Sequence, residues 1–258
     1  MSRNVEPPTS VRSARVSAVR ALSKKSERIT TSQFIAEGIQ SVREALTYDS
    51  DSIVELYATR SMIAQYPILS EAVEIADDVL AAMCDTKSPQ GVIAVCRLPN
   101  ITISSLNAPQ GRVAILSNVR DPGNAGTILR TADAMGITAV ITSPDSVDMY
   151  SPKVVRSTAG SLWNMPVYEG VTFQTLASIF PGSQKILFSS HASTSILDLK
   201  IAGDCIAVFG NEARGVDAAA LGAAVTEVTI PMAGNAESLN LSAAASIVMF
   251  TLSAKVAG

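Results

Sequence analysis

The segment RVAILSNVRDPGNAGTILRTADAMGITAVITS, residues 112–143, reads as strand, helix, strand. The run VAIL is apolar without alternation, as a strand buried on both faces must be. From about Gly123 to Met135, Ile128, Leu129, Ala132 and Met135 recur at helical spacing, and TAVITS is the next strand. Asn124 fits the cap of that helix, and Arg130 falls off its buried stripe beside Thr127 and Ala134. A strand, a helix and a second buried strand make a parallel crossover unit.

The alternation continues outward from this unit. A helix is expected around SPKVVRSTAGSL, a strand at MPVYE, a helix at FQTLASIF and a strand at KILFSS. Strand CIAVFG follows, then a short helix near DAAALGAA, strand EVTIPM and a long helix from about Ser238 to Val256. This is an α/β domain with a parallel sheet covered on both faces. Ligands of such sheets bind beyond the carboxyl ends of the strands.

Three polar clusters follow three of these strands, so all should meet at one sheet edge. In DPGNAG, residues 121–126, Pro122 pre-sets a turn and the glycines permit close backbone approach. In GNEARG, Asn211, Glu212 and Arg214 lie between Gly210 and Gly215, a composition suited to orienting ligand hydroxyls and equally to a solvent-facing loop. In IPMAGNAESLNLSAAAS, residues 230–246, Ser238 fits a helix N-cap. Asn240, between Leu239 and Leu241 at the start of an apolar helix, needs a side-chain partner. The small residues that follow suit close approach of another helix.

Upstream, SQFIAEGIQSVREAL (residues 32–46) places Phe34, Ile35, Ile39, Val42 and Leu46 at near-helical spacing, which predicts one amphipathic helix with Ser32 as its cap. SIVELYAT and GVIAVCRL read as strands and DDVLAAM as a helix, giving a small α/β domain over 31–105 that ends in the linker NITISSLNAPQG. Residues 1–30 hold seven basic and two acidic residues, net +5, in a chain of net charge −3. Basic, Ser-rich and without evident apolar period, they read as a flexible tail that either follows a phosphate backbone or is simply solvated.

No apolar run reaches the length of a membrane span, and the N-terminus has no signal-peptide core, so a cytoplasmic protein is expected. Cys84, Cys96 and Cys205 are scattered and flanked by small or apolar residues, which suggests core positions rather than a disulfide or zinc set. His191, the single histidine, reads as a strand-end surface residue, and no metal is expected.

Taken together, LSNVRDPGNAGTILRTADAMG, FGNEARGV and TIPMAGNAESLNLSAAASI resemble, in order and spacing, the three motifs of the SpoU or TrmH-like family of RNA ribose 2′-O-methyltransferases. FIAEGIQSVREAL and DTKSPQGVIAV resemble the start and end of that family's small RNA-binding domain, similar to ribosomal protein L30e. The resemblance implies the SPOUT fold, an α/β domain over 106–258 with a deep trefoil knot. It also implies a homodimer, S-adenosylmethionine as cofactor and RNA, most of all 23S rRNA, as substrate. By the same resemblance Gly210, Ile230 and Leu239 line the cofactor pocket, with Asn211 and Met232 beside them. Arg130 is placed at the reacting ribose, with Asn124, Glu212, Ser238 and Asn240 around it.

A guanidinium stays protonated in proteins, so Arg130 is an awkward general base and suits electrostatic stabilisation of the developing alkoxide. Two other substrate or functional classes stay open: a tRNA ribose methyltransferase, and a non-catalytic RNA-binding or ribosome-assembly factor on the same fold. A nucleotide-dependent oxidoreductase is disfavoured, because GNAGTI lacks the GxGxxG spacing.

Overall fold

The computed structural model describes residues 7–106, 112–201, 203–210 and 225–257. The chain divides into two compact units, one of residues 1–100 with 150–164, the other of 101–149 with 165–258.

Unit 1 begins with α1 (Ala14–Ala21) and α2 (Lys25–Thr31), where the sequence suggested a flexible tail. Ser13 caps α1 by accepting a hydrogen bond from the Val16 amide. Val16, Val19 and Leu22, spaced by three, bury one side of α1 in the same cluster as Val79, Leu80 and Met83 of α5 (Asp77–Met83). Arg28 is buried and donates from Nη1 to the carbonyls of Leu22 and Ser23 at 2.7 and 2.9 Å, which fixes the turn between α1 and α2.

The single helix expected over residues 32–46 is a strand and a helix, β1 (Gln33–Glu37) and α3 (Ile39–Tyr48), separated by Gly38. Ser32 does not start a helix; in the left-handed conformation it ends α2. Strand β1 pairs antiparallel with β4 (Val92–Arg97), and β4 pairs antiparallel with β2 (Ile53–Ala58). The two-residue β3 (Val73–Glu74) completes a sheet of order β1-β4-β2-β3. Between β2 and β3 lies α4 (Arg60–Gln65). Ile35, Tyr57, Ile93 and Val95 face α1 and α5. On β1, Phe34 alternates with Ile35 and meets Tyr150 edge-on at 5.1 Å and Trp163 at 6.1 Å.

Those two aromatics come from residues 150–164, which hold α7 (Pro152–Ser157) and a 3-10 turn over Ser161–Trp163. This stretch packs with unit 1 although 49 residues separate it from residue 100. Arg156 of α7 anchors it, pairing at 2.9 Å with Oε2 of the buried Glu37, whose Oε1 accepts from the Asp85 amide and Oε2 from the Thr86 amide. At the Gly160 turn (φ +101°) a Cβ would collide with Glu44, so this close approach requires glycine.

Unit 2 is a six-stranded, all-parallel sheet with the strands β5 (Arg112–Ser117), β6 (Ala139–Thr142), β7 (Val167–Tyr168), β8 (Gln184–Phe188), β9 (Cys205–Gly210) and β10 (Val225–Val228). The order is β10-β8-β9-β5-β6-β7, so the chain winds one way from β5 through β7 and returns on the other side of β5. Strands β5 to β9 lie where the sequence placed them, whereas β10 starts two residues before the expected EVTIPM and ends at Val228. One face packs Val113, Ile115, Ile141, Ile206 and Val208 under Leu176 of α8 (Phe173–Ile179) and Phe180. Elsewhere α6 (Pro122–Ala134) packs against α9 (Leu241–Ala257), and α9 against β9. The helix expected near DAAALGAA lies outside the described residues.

Candidate functional site

The winding reverses between β5 and β9, the two central strands, and their last residues, Ser117 and Gly210, are register partners. Parallel sheets leave a crevice at such a point. Ser117 lies 1% exposed and its hydroxyl has no hydrogen-bond partner among the described residues. Its neighbour Asn118 has φ +53°, a conformation that asparagine tolerates better than most residues. The Asn118 amide donates to Ser143 Oγ at 2.9 Å, and the Ser146 hydroxyl donates to the Leu116 carbonyl at 3.0 Å. The loops leaving β5 and β6 are thereby tied together.

Helix α6 starts from this edge two residues earlier than Asn124. Asp121 is its cap, accepting from the Asn124 amide at 2.7 Å through Oδ1, so Asn124 is capped rather than capping. The cap leaves the Asn124 side chain half-buried on the first turn. Ile128, Leu129 and Ala132 are buried as their spacing predicts, while Thr127 and Arg130 are exposed on the outer side. Arg130 stands about 9 Å along the axis from Asn124, at about 1.5 Å per residue.

The third cluster also differs in one detail. Helix α9 starts at Leu241, and Asn240, not Ser238, caps it. Asn240 Oδ1 accepts from the amide and the hydroxyl of Ser242 at 2.9 and 2.7 Å, and the Asn240 carbonyl accepts from the Ala244 amide. This is the side-chain partner that the sequence demanded for Asn240. Its amide N–H groups take no part in this cap. Ser238 sits exposed in the preceding loop.

That loop, residues 229–240, is held at its ends and open between them. Ile230 is 9% exposed and Leu239 half-buried, whereas residues 231–238 are all exposed, Met232 among them at 39%. Side by side with α6, α9 places Ser246 Oγ 3.1 Å from Thr131 Oγ1, and Ser253 donates to the Met135 carbonyl at 2.7 Å. Both contacts advance in the same direction along the two helices, so the α9 entrance points back toward the part of α6 before Thr131, which carries Asn124 and Arg130.

A fourth segment reaches this edge, which the sequence reading missed. Residues 189–196, after β8, are stitched to the end of β10: the Ser189 amide donates to Val228, the Thr229 amide to Thr194 and the Ile196 amide to Thr229, at 3.0, 2.8 and 2.9 Å. His191 lies exposed in this segment. The signal was available in SSHASTS, a polar run directly after a strand of the same sheet. Asn211 and Glu212 lie outside the described residues.

Among the described residues no cluster could hold a metal ion, and no helix is long and apolar enough to cross a membrane. Burial pushes the thiols of Cys84 and Cys96 up to about 12 and that of Cys205 to about 11, which leaves all three protonated and poorly nucleophilic near neutral pH.

Comparison with known proteins bears on both units. A model of the SpoU rRNA Methylase family matches residues 111–250, and one of an MRM3-like substrate binding domain matches residues 13–94. The 23S rRNA (guanosine(2553)-2'-O)-methyltransferase RlmP of Bacillus subtilis is 29% identical, over 94% of this chain and 97% of its own length. The 23S rRNA (uridine(2479)-2'-O)-methyltransferase of Streptomyces viridochromogenes is 26% identical, over 89% of this chain and 85% of its own. Among solved structures, the AdoMet-bound rRNA methyltransferase of Sinorhizobium meliloti superposes with a TM-score of 0.84 at 27% identity, covering 95% of this chain and 96% of that one.

Proposed function

Since the chain belongs to the SpoU rRNA methylase family, we propose that it methylates a ribose 2′-hydroxyl of 23S rRNA with S-adenosylmethionine, at the carboxyl edge of the unit 2 sheet. The observation that carries this reading is the convergence there of the α6 entrance, the end of β9 and the 229–240 loop.

The residues present suit that cofactor. Ile230 and Leu239 offer apolar contact at the two ends of an otherwise exposed loop, with Met232 between them. Gly210 leaves room for backbone approach beside the unpartnered Ser117 hydroxyl, and Asn211 follows it. When bound, the sulfonium supplies an electrophilic methyl group. The protein's part is to hold the 2′-oxygen in line behind it, at about 3–3.5 Å, which accounts for much of the acceleration.

Arg130, exposed and free of the packing between α6 and α9, is placed to bind RNA phosphate and to stabilise negative charge growing on the 2′-oxygen. Asn124, Glu212, Ser238 and Asn240 are proposed to surround the ribose. The Asn240 oxygen is committed to Ser242, so its amide N–H groups are what it can present to an oxygen of the substrate. The proton leaves to solvent or to a neighbouring acceptor.

Unit 1 takes the RNA-binding part, as an L30e-like domain ahead of a methyltransferase domain over 106–258. A homodimer is supported by α9, whose outer side exposes Ile247 at 40% and Phe250 at 61% in line with Ala243. Such a side normally finds a partner. A trefoil knot in unit 2 is proposed from the fold of the family to which the chain belongs. A cytoplasmic location, with the ribosome, follows from the substrate.

Calorimetric titration with S-adenosylmethionine, followed by mapping of ribose methylation in 23S rRNA and tRNA from cells with and without the protein, tests the reading. Saturable cofactor binding and one missing 2′-O-methyl group in 23S rRNA are expected. No cofactor binding would overturn the enzyme and leave the RNA-binding factor, and a missing mark in tRNA would move the substrate.

A further inference from the structure

The α1–α2 hairpin holds six basic residues among the described ones, Arg12, Arg15, Arg20, Lys24, Lys25 and Arg28, against Glu27 alone. Two of them are used inside the unit. Arg15 pairs with Glu55, and Arg28 is buried on backbone carbonyls. The remaining four, Arg12, Arg20, Lys24 and Lys25, are exposed, and no carboxylate neutralises them among the described residues.

Elsewhere in unit 1 the balance is reversed. Residues 31–105 hold four basic and ten acidic residues. Arg43 and Arg60 sit on Glu44 and Glu74, Arg97 donates to the Asp51 carbonyl, and in the 150–164 stretch Arg156 binds Glu37 and Asp85. Lys87, Arg97 and Lys153 are the further exposed cations of unit 1 without an ion pair among the described residues; they are scattered single charges, and Arg97 has a backbone carbonyl as its partner. Most of the cations that the fold leaves without a carboxylate, four of seven among the described residues of unit 1, therefore gather on one packed hairpin of an otherwise acidic unit.

We infer that the outer face of the α1–α2 hairpin is a phosphate-tracking surface for the RNA substrate, formed by Arg12, Arg20, Lys24 and Lys25. The inference rests on the RNA-methylating reading and adds to it where the backbone is held. A rigid array loses less on binding than a flexible tail would, because α1 is already fixed by Val16, Val19 and Leu22. Phosphate contacts of this kind give register and affinity but no sequence preference.

The test compares a quadruple variant, Arg12→Gln, Arg20→Gln, Lys24→Gln and Lys25→Gln, with a control variant, Arg43→Gln, Arg60→Gln and Arg97→Gln, whose cations already have partners. Glutamine keeps the helix propensity of the residues it replaces, and a thermal melt confirms folding. Binding to 23S rRNA transcribed in vitro is measured over a potassium chloride series. Every phosphate that a cation ceases to neutralise reduces the slope of log affinity against log salt by about 0.7–0.9. Four such phosphates should reduce it by about 3, so the wild type should weaken about 50-fold more than the quadruple variant between about 50 and 200 mM salt.

That flattening, absent in the control, is the expected result. A quadruple variant with the wild-type slope, or a control flattened equally, overturns the inference and returns these side chains to an ordinary solvated face. A wild type that neither binds nor methylates 23S rRNA strikes the proposed function instead, whatever the hairpin does.

Discussion

Replacing Leu22 by alanine distinguishes a folded α1 from a basic tail in a single measurement. Leu22 follows the last turn of α1, is 2% exposed and belongs to the same buried cluster as Val79, Leu80 and Met83. Leucine-to-alanine changes at buried sites cost about 2–5 kcal/mol, the lower values where the site can collapse. A short surface helix can move inward, so about 2–3 kcal/mol is expected here. Against a domain stability of about 5–15 kcal/mol this is a large fraction. The reporter is built in: Trp163 is the chain's single tryptophan, and it lies in unit 1 against Phe34. Urea unfolding followed by Trp163 fluorescence should show a midpoint about 1–2 M lower than wild type, taking a slope of about 1–3 kcal/mol/M. Ser17→Ala, exposed on the same helix, should leave the midpoint in place. If Leu22→Ala also leaves it in place, residues 14–22 contribute nothing to the unit, and the packing argument fails.

Three further outcomes concern unit 2. Asn240→Ala removes the α9 cap and should cost about 1 kcal/mol, seen by calorimetry as a melting temperature a few degrees lower. Asn240→Asp, which caps as well, should recover the melting temperature but not methyl transfer, and recovery of both would reduce the asparagine to its cap. Arg130→Ala should lower methyl transfer by about 10²–10³-fold with the S-adenosylmethionine Kd nearly unchanged; parallel loss of both would assign the arginine to the cofactor pocket. Phe250→Asp should convert a dimer to a monomer in sedimentation velocity, and a dimer that persists would place the interface away from the exposed side of α9.

The parallel sheet was legible because its chemistry is local. A strand buried on both faces has to be a continuous apolar run, so VAIL, AVIT and CIAVF announce themselves without reference to their partners. Unit 1 was less legible for the opposite reason. Phe34, Ile35, Ile39, Val42 and Leu46 fit a helical period, but Phe34 and Ile35 are buried on opposite faces of a sheet in which the strand paired with β1, β4, is some 60 residues away. Only Gly38, in the middle of the supposed helix, hinted at the break. Composition hides α1 because seven cations dominate residues 1–30, while three residues at a spacing of three decide its structure. Nor can any local pattern tell that Tyr150 and Trp163 cover Phe34.

The same distinction explains the site. Its three motifs were visible because each follows a strand directly, and in two of them the structure moves the cap by two or three residues: Asp121 caps α6 in place of Asn124, and Asn240 caps α9 in place of Ser238. These small shifts matter for the chemistry. A side chain that accepts from its own helix has its oxygen occupied, so of Asn240's groups the amide N–H pair alone remains for a ligand. Asn124, no longer needed as a cap, has both ends of its amide available on the first turn of α6. We propose from this geometry that Asn124 both donates to and accepts from the ribose and that Asn240 only donates.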